Sequence, residues 1–140
     1  MSDLQEACNT ALAEGRREAI FRLQAEMLQD GVNLGADYCP VEHFFAEGSY
    51  GRQITMPKGL VVVGKIHKHS HVNVISQGHV MVFTEHDGLY ELKAPCTFVS
   101  KPGTKRVVLM LEETIWTTVH VTTSTNLADI EREVIEPEVL

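Results

Sequence analysis

Between Val41 and Thr125 the chain is cut at short, regular intervals by residues suited to turns, and this constrains its fold more than any other feature. The separators are Glu47-Gly48-Ser49, Pro57-Lys58-Gly59, Ser76-Gln77-Gly78, His86-Asp87-Gly88, Ala94-Pro95 and Lys101-Pro102-Gly103. Glycine supplies positive φ and proline presets φ, so each cluster ends an extended run. The intervening apolar and β-branched runs, at 42–46, 52–56, 60–67, 72–76, 79–84, 89–93, 97–100, 106–111 and 115–123, are too short for ordinary helices. Eight or nine such strands predict an all-β sandwich, barrel or jelly roll.

The ends have a different texture. Leu4, Ala7, Cys8, Ala11, Leu12, Ala19, Ile20, Leu23 and Met27 follow the 3.6-residue period of a helix, with Asp3 as its cap, a bend expected at Gly15 and a stop near Asp30-Gly31. Glu14, Arg16, Arg17, Glu18, Arg22 and Glu26 are expected on its solvated face. Residues 126–134 predict a short C-terminal helix capped by Thr125 or Asn126. With 140 residues there is material for one core, so the expected organisation is a helix at 1–30, a β-domain at 31–125 and a helix with tail at 126–140.

A formal charge of −7 argues against nucleic acid and anionic membrane as partners. Cys8, Cys39 and Cys96 are too few and too irregularly spaced for a disulfide framework and read as buried or idle thiols. The longest apolar run, Leu60 to Val63, is far shorter than a membrane span, and the N-terminal residues lack a signal-peptide pattern, so a cytoplasmic protein is expected.

Seven histidines are an unusual number, and three stand in His67-Lys68-His69-Ser70-His71. Alternate residues on a strand share a face, so if Val61 and Val63 point inward, Lys65 and His67 do too. On a straight strand, His67 and His71 would lie about 13 Å apart, too far to share a metal ion, so a bend between them is required. His69 then falls at the bend and faces solvent. His79 and His86 flank turns and are expected at the surface, and His43, beside Phe44 and Phe45, is expected at the core edge.

The spacing of Gly59, Lys65-Ile66-His67, His71 and Gly78, followed by Pro95, Lys101-Pro102-Gly103, Arg106 and Met110, resembles the two motifs of the cupin superfamily, G-x5-H-x-H-x3,4-E-x6-G and G-x5-P-x-G-x2-H-x3-N. The resemblance runs from about Val41 to Thr123 and implies a cupin-like jelly-roll barrel. It also implies that Lys65 stands at the first histidine position, His67 at the second, His71 at the glutamate and Arg106 at the last histidine. The layout is similar, too, to small cupin-like proteins of tailed phages and bacteria. Cupins serve many reactions, so the resemblance leaves open whether this chain is an enzyme.

Two site chemistries compete. In the first, His67, His71 and His120 hold a divalent metal, for which imidazoles suit Zn, Fe, Ni or Cu. The two faces of the run 115–123 are similarly apolar, so alternation does not say which way His120 points. In the second, Lys65 and Arg106, beside His67 and His71, bind a small polar or anionic molecule such as a carboxylate or phosphate. A third possibility is structural, with Lys65 or Arg106 paired to an acid such as Glu42 or Glu47. Trp116 and Tyr50 are expected as packing residues. Both faces of the run 106–111 are apolar and need covering, by the helix or by another subunit; a homo-oligomer is therefore expected, and a non-enzymatic assembly or virion-associated role stays open.

Overall fold

The computed structural model describes residues 3–29 and 39–137. Helix α1 spans Asp3–Gln29 and is followed by β1 (Val41–Ala46), β2 (Ser49–Met56), β3 (Val61–Val63), β4 (His71–Gln77), β5 (His79–Thr84), β6 (Gly88–Lys93), β7 (Cys96–Ser100), β8 (Arg106–Met110), β9 (Thr114–Val121) and helix α2 (Leu127–Val134). All strand pairings are antiparallel, in a five-stranded sheet ordered β1-β2-β9-β4-β7 and a four-stranded sheet ordered β3-β8-β5-β6. This is a jelly roll with a helix at each end.

Strand alternation builds the core. Ile54, Met56, Ile75 and Trp116 from the first sheet meet Val80, Val82, Val108 and Met110 from the second, all at most 6% exposed. Full burial of such side chains contributes roughly 1.5–3 kcal/mol each before the cost of ordering the chain. Glycines 48, 59, 78, 88 and 103, each from an expected turn, have positive φ. Gly78 is the most constrained: at φ +112° a Cβ would stand 2.3 Å from Thr114 Oγ1 and 2.7 Å from Thr114 Cα, so glycine alone lets the β4–β5 connection pass β9.

Two expectations are corrected by the packing. The apolar stripe of α1 is docked only in part, at Ile20. Leu12 and Leu23 are 57% and 37% exposed, and Ala7, Cys8 and Ala19 are exposed as well, so Cys8 is not a buried thiol. The helix runs through Gly15 without a break, and two residues expected in solvent join its docked side: Arg17 donates to the Glu85 carboxylate at 2.8 Å and Arg16 to the Glu85 and His86 carbonyls at 3.3 Å, while Glu14, Glu18, Arg22 and Glu26 are exposed as expected. Glu85 is 2% exposed, and a carboxylate that far from water requires cations and N–H donors. Ile20 and Gln24 are buried alongside, and the Phe21 ring lies under Lys105. The side chains of Leu4, Ala11 and Met27, and the expected stop at Asp30-Gly31, lie outside the described residues.

The second correction concerns β3. Val62, not Val61 or Val63, pairs with core-facing Val108, and the strand ends at Val63. Alternation therefore does not carry on to Lys65 and His67. The chain leaves the sheet at Gly64, whose N–H donates to the Arg106 carbonyl, and His67 next pairs with Ile135 beyond α2.

Candidate metal centre

The two sheets enclose a cavity of about 370 Å³ that narrows onto the apolar core at one end and is covered at the other by α2. Asn126 caps that helix by accepting from the Asp129 N–H, and Ile130 and Val134 pack against Tyr50. Three histidines from separate segments meet under this cover. His71 opens β4, His120 lies near the end of β9 opposite Tyr50 of β2, and His67 sits in the irregular segment between β3 and β4. The exposed residues Lys68, His69 and Ser70 form the bend between His67 and His71. The ring centroids of His67 and His71 are 4.2 Å apart, with His120 at 5.3 Å from the first and 4.9 Å from the second. One nitrogen from each ring lies within 4.8 Å of the others.

The triad is poorly satisfied as protein alone. His71 is 5% exposed, and neither of its ring nitrogens has a partner in good hydrogen-bond geometry; His120 Nε2 contacts the Thr118 hydroxyl at 3.1 Å. Buried polar atoms are nearly always well paired, so a poorly satisfied imidazole facing two others fits a metal-ligating role. Burial, followed by repulsion from His71, His120 and Arg106, pushes His67 down to about 3. Burial, then His71 and Arg52, pushes His120 down to about 4, and burial lowers His71 as well. All three rings are thus neutral at pH 7, the form that ligates metal. The donor set fits Zn, Fe, Ni or Cu and leaves coordination positions for water or substrate.

Arg106 enters the cavity from the opposite sheet. Its guanidinium lies 5.6 Å from the Phe98 ring and 5.7 Å from the Trp116 ring, and Nη2 donates to Ser100 Oγ at 2.8 Å. Nε is buried without a partner. Burial lowers the Arg106 pKa from its ordinary value, with Tyr90 and Asp87 acting against the shift. Among the described residues no carboxylate lies within ion-pair distance of it, so the expected pairing with Glu42 or Glu47 does not occur.

Lys65 is not the inward cation expected of it. Its side chain is 60% exposed at the cavity rim and pairs with Glu131 of α2, because the chain has already left β3 and no alternation holds Lys65 toward the core. Of the remaining histidines, His69 and His86 are exposed and His79 pairs with Glu91 at 2.9 Å, whereas His43, exposed at the cavity edge, has Nδ1 2.6 Å from the hydroxyl of Tyr50, on whose ring it stacks. Trp116 is a core residue whose Nε1 donates to Asn73. Cavity residues that the motifs did not single out include Arg52, Asn73 and Ser100. Arg52 alternates with Ile54 and Met56, so strand alternation alone marks it as inward.

The architecture has counterparts among solved structures. An RmlC-like cupin with a double-stranded β-helix fold from Methanocaldococcus jannaschii superposes with a TM-score of 0.51 at 13% identity, covering 61% of this chain and 81% of that one. The cupin domain of Schizosaccharomyces pombe Cnp3 gives 0.51 at 18%, covering 74% and 77%. A cupin 2 domain-containing protein from Halorhodospira halophila gives 0.50 at 14%, covering 68% and 75%. This chain has the cupin fold. No protein-family model matches the sequence, and no curated protein matches it. At these identities the likeness concerns architecture, and a cupin's chemistry has to be argued from its own side chains. No described helix is long and apolar enough to cross a membrane.

Proposed function

We propose that this cupin-fold protein holds a divalent metal ion through His67, His71 and His120 and binds a small anionic molecule beside it, with Arg106 as an anchor. The observation that carries the proposal is the convergence of three imidazoles, each with a ring nitrogen within 4.8 Å of the others, around a His71 ring that is 5% exposed and has no partner in good hydrogen-bond geometry. When bound, the ion would supply Lewis acidity and fix one end of a ligand. The chain's own contribution is orientation and exclusion of water: Arg106 presents a forked donor held between two aromatic rings, and α2 covers the opening.

Elemental analysis of protein purified without an affinity tag tests the metal. Near-stoichiometric Zn, Fe, Ni or Cu is expected, falling at least tenfold in a His71→Ala/His120→Ala variant that still melts cooperatively. A wild-type protein that neither contains metal nor takes it up on titration would overturn the proposal. An assembly role has its own support in the exposed apolar residues Phe44, Val72, Val99 and Val119 on the outer face of the five-stranded sheet.

A further inference from the structure

Arg52 and Arg106 straddle the histidine triad from opposite sides. Arg52 pairs across strands with Thr118, whose hydroxyl contacts His120, whereas Arg106 donates to Ser100, the cross-strand partner of His71. Both arginines line the cavity. Arg52 has no hydrogen bond or ion pair to any described residue, and the hydrogen-bond partners of Arg106 are neutral. Four basic side chains, Arg52, Lys65, Lys101 and Arg106, line the cavity against one carboxylate, Glu131, which Lys65 already engages. The local charge is thus opposite in sign to the chain's net −7. Two guanidiniums lining one cavity, neither in ion-pair contact with a carboxylate among the described residues, are costly unless a ligand brings the negative charge.

The layout also limits the ligand's shape. Arg52, Thr118, Asn73 and Phe98 form one cross-strand row, which places the backbones of Arg52 and Phe98 about 14 Å apart at ~4.8 Å per strand. The two arginines reach in from the ends of that row, because Arg106 lies over Phe98. Beneath the row, Ile54, Met56, Val108, Met110 and Trp116 form an apolar floor. Two separated anion anchors over an apolar floor suit a molecule with a charge at each end and a short hydrocarbon between.

We infer that the ligand of this pocket is a small dianion of the dicarboxylate class, gripped at one end by Arg52 and at the other by Arg106. The inference rests on the cavity being a ligand site, as proposed above, but not on the metal. Each guanidinium–carboxylate contact is a charge-assisted pair, and losing one is expected to cost roughly tenfold to a hundredfold in affinity.

Calorimetric titration of the full chain, both metal-loaded and metal-stripped, with a series from malonate through adipate, the matching monocarboxylates and inorganic phosphate provides the test. At least one dicarboxylate is expected to bind tenfold or more tighter than its monocarboxylate and than phosphate. Arg52→Gln should remove that preference while leaving metal content and melting temperature unchanged. Arg106→Lys, which keeps the charge but loses the fork, should weaken the dicarboxylate with little loss of fold. The inference is overturned if no dicarboxylate outbinds its monocarboxylate, if phosphate binds tightest, or if Arg52→Gln leaves the preference intact. Dicarboxylate preference in a protein that takes no metal would overturn the metal proposal alone; metal uptake without the preference would overturn this one alone.

Discussion

Asn73, 0% exposed, joins the core to the candidate site. Trp116 Nε1 donates to its Oδ1 at 3.0 Å, and its Nδ2 donates at 2.8 Å to Ser100 Oγ, the oxygen that also accepts from Arg106. Replacing Asn73 by Ala strands the indole N–H in an apolar environment and frees Ser100 to turn, so a loss of about 1–3 kcal/mol is expected, read as a lower urea midpoint. The histidines set the acid limit. With His67 held near 3 and His120 near 4, the folded metal-free protein keeps these rings neutral where the unfolded chain, titrating near 6.5, takes up protons. The unfolded state then binds more protons, so stability falls as pH drops below about 6.5 and goes on falling toward 4. Urea midpoints of the metal-free protein at pH 7.5, 5.5 and 4.5 should decrease in that order; flat midpoints would show that the rings titrate normally. A His71→Ala/His120→Ala variant should flatten the dependence.

At the scale of elements, alternation reads correctly only while a strand lasts. It holds for Arg106, Val108 and Met110 through the whole of β8, and equally for Arg52, Ile54 and Met56 in β2. It does not carry Lys65 inward, because Val62 rather than Val61 or Val63 pairs with core-facing Val108 and β3 stops at Val63. For the helices, propensity indicates that they form but not which side docks. The docked side of α1 was set by a buried acid, Glu85, more than sixty residues away, which the sequence near the helix does not reveal. α2 is held over the cavity by its cap, by Ile130 and Val134, and by Glu136 N–H donating to the Ile66 carbonyl. Asn126→Ala should cost about 1 kcal/mol and show as faster amide exchange across residues 127–135, with the β-strands unaffected. Gly78→Ala collides with backbone at β9 and should cost more than a surface substitution, about 2 kcal/mol or above by thermal melt.

For the molecule as a whole, the outer face of the five-stranded sheet is the feature that no described residue covers. Phe44, Gly51, Val119, Val72 and Val99 form one continuous cross-strand row, and its four side chains are 37% to 64% exposed. An apolar row across five strands is the kind of surface that a second copy covers. A homo-oligomer is therefore expected in light scattering at micromolar concentration, reduced to monomer by Val72→Lys/Val99→Lys. A wild-type monomer would remove the basis for an assembly role.

By itself the sequence determined the β-architecture, the turn glycines, the two terminal helices and the inward direction of Arg106. These follow from local rules: φ preferences, side-chain alternation and helical periodicity act over a few residues. It also required a bend between His67 and His71. Tertiary structure alone decided that His120 joins them, since both faces of its strand are apolar and only the pairing with β2 and β4 sets its side. It decided, too, that Lys65 turns away to Glu131 and that Arg52 faces Arg106 across the cavity. Those outcomes depend on which strands become neighbours and where a strand ends, and that is settled by packing between segments far apart in the chain.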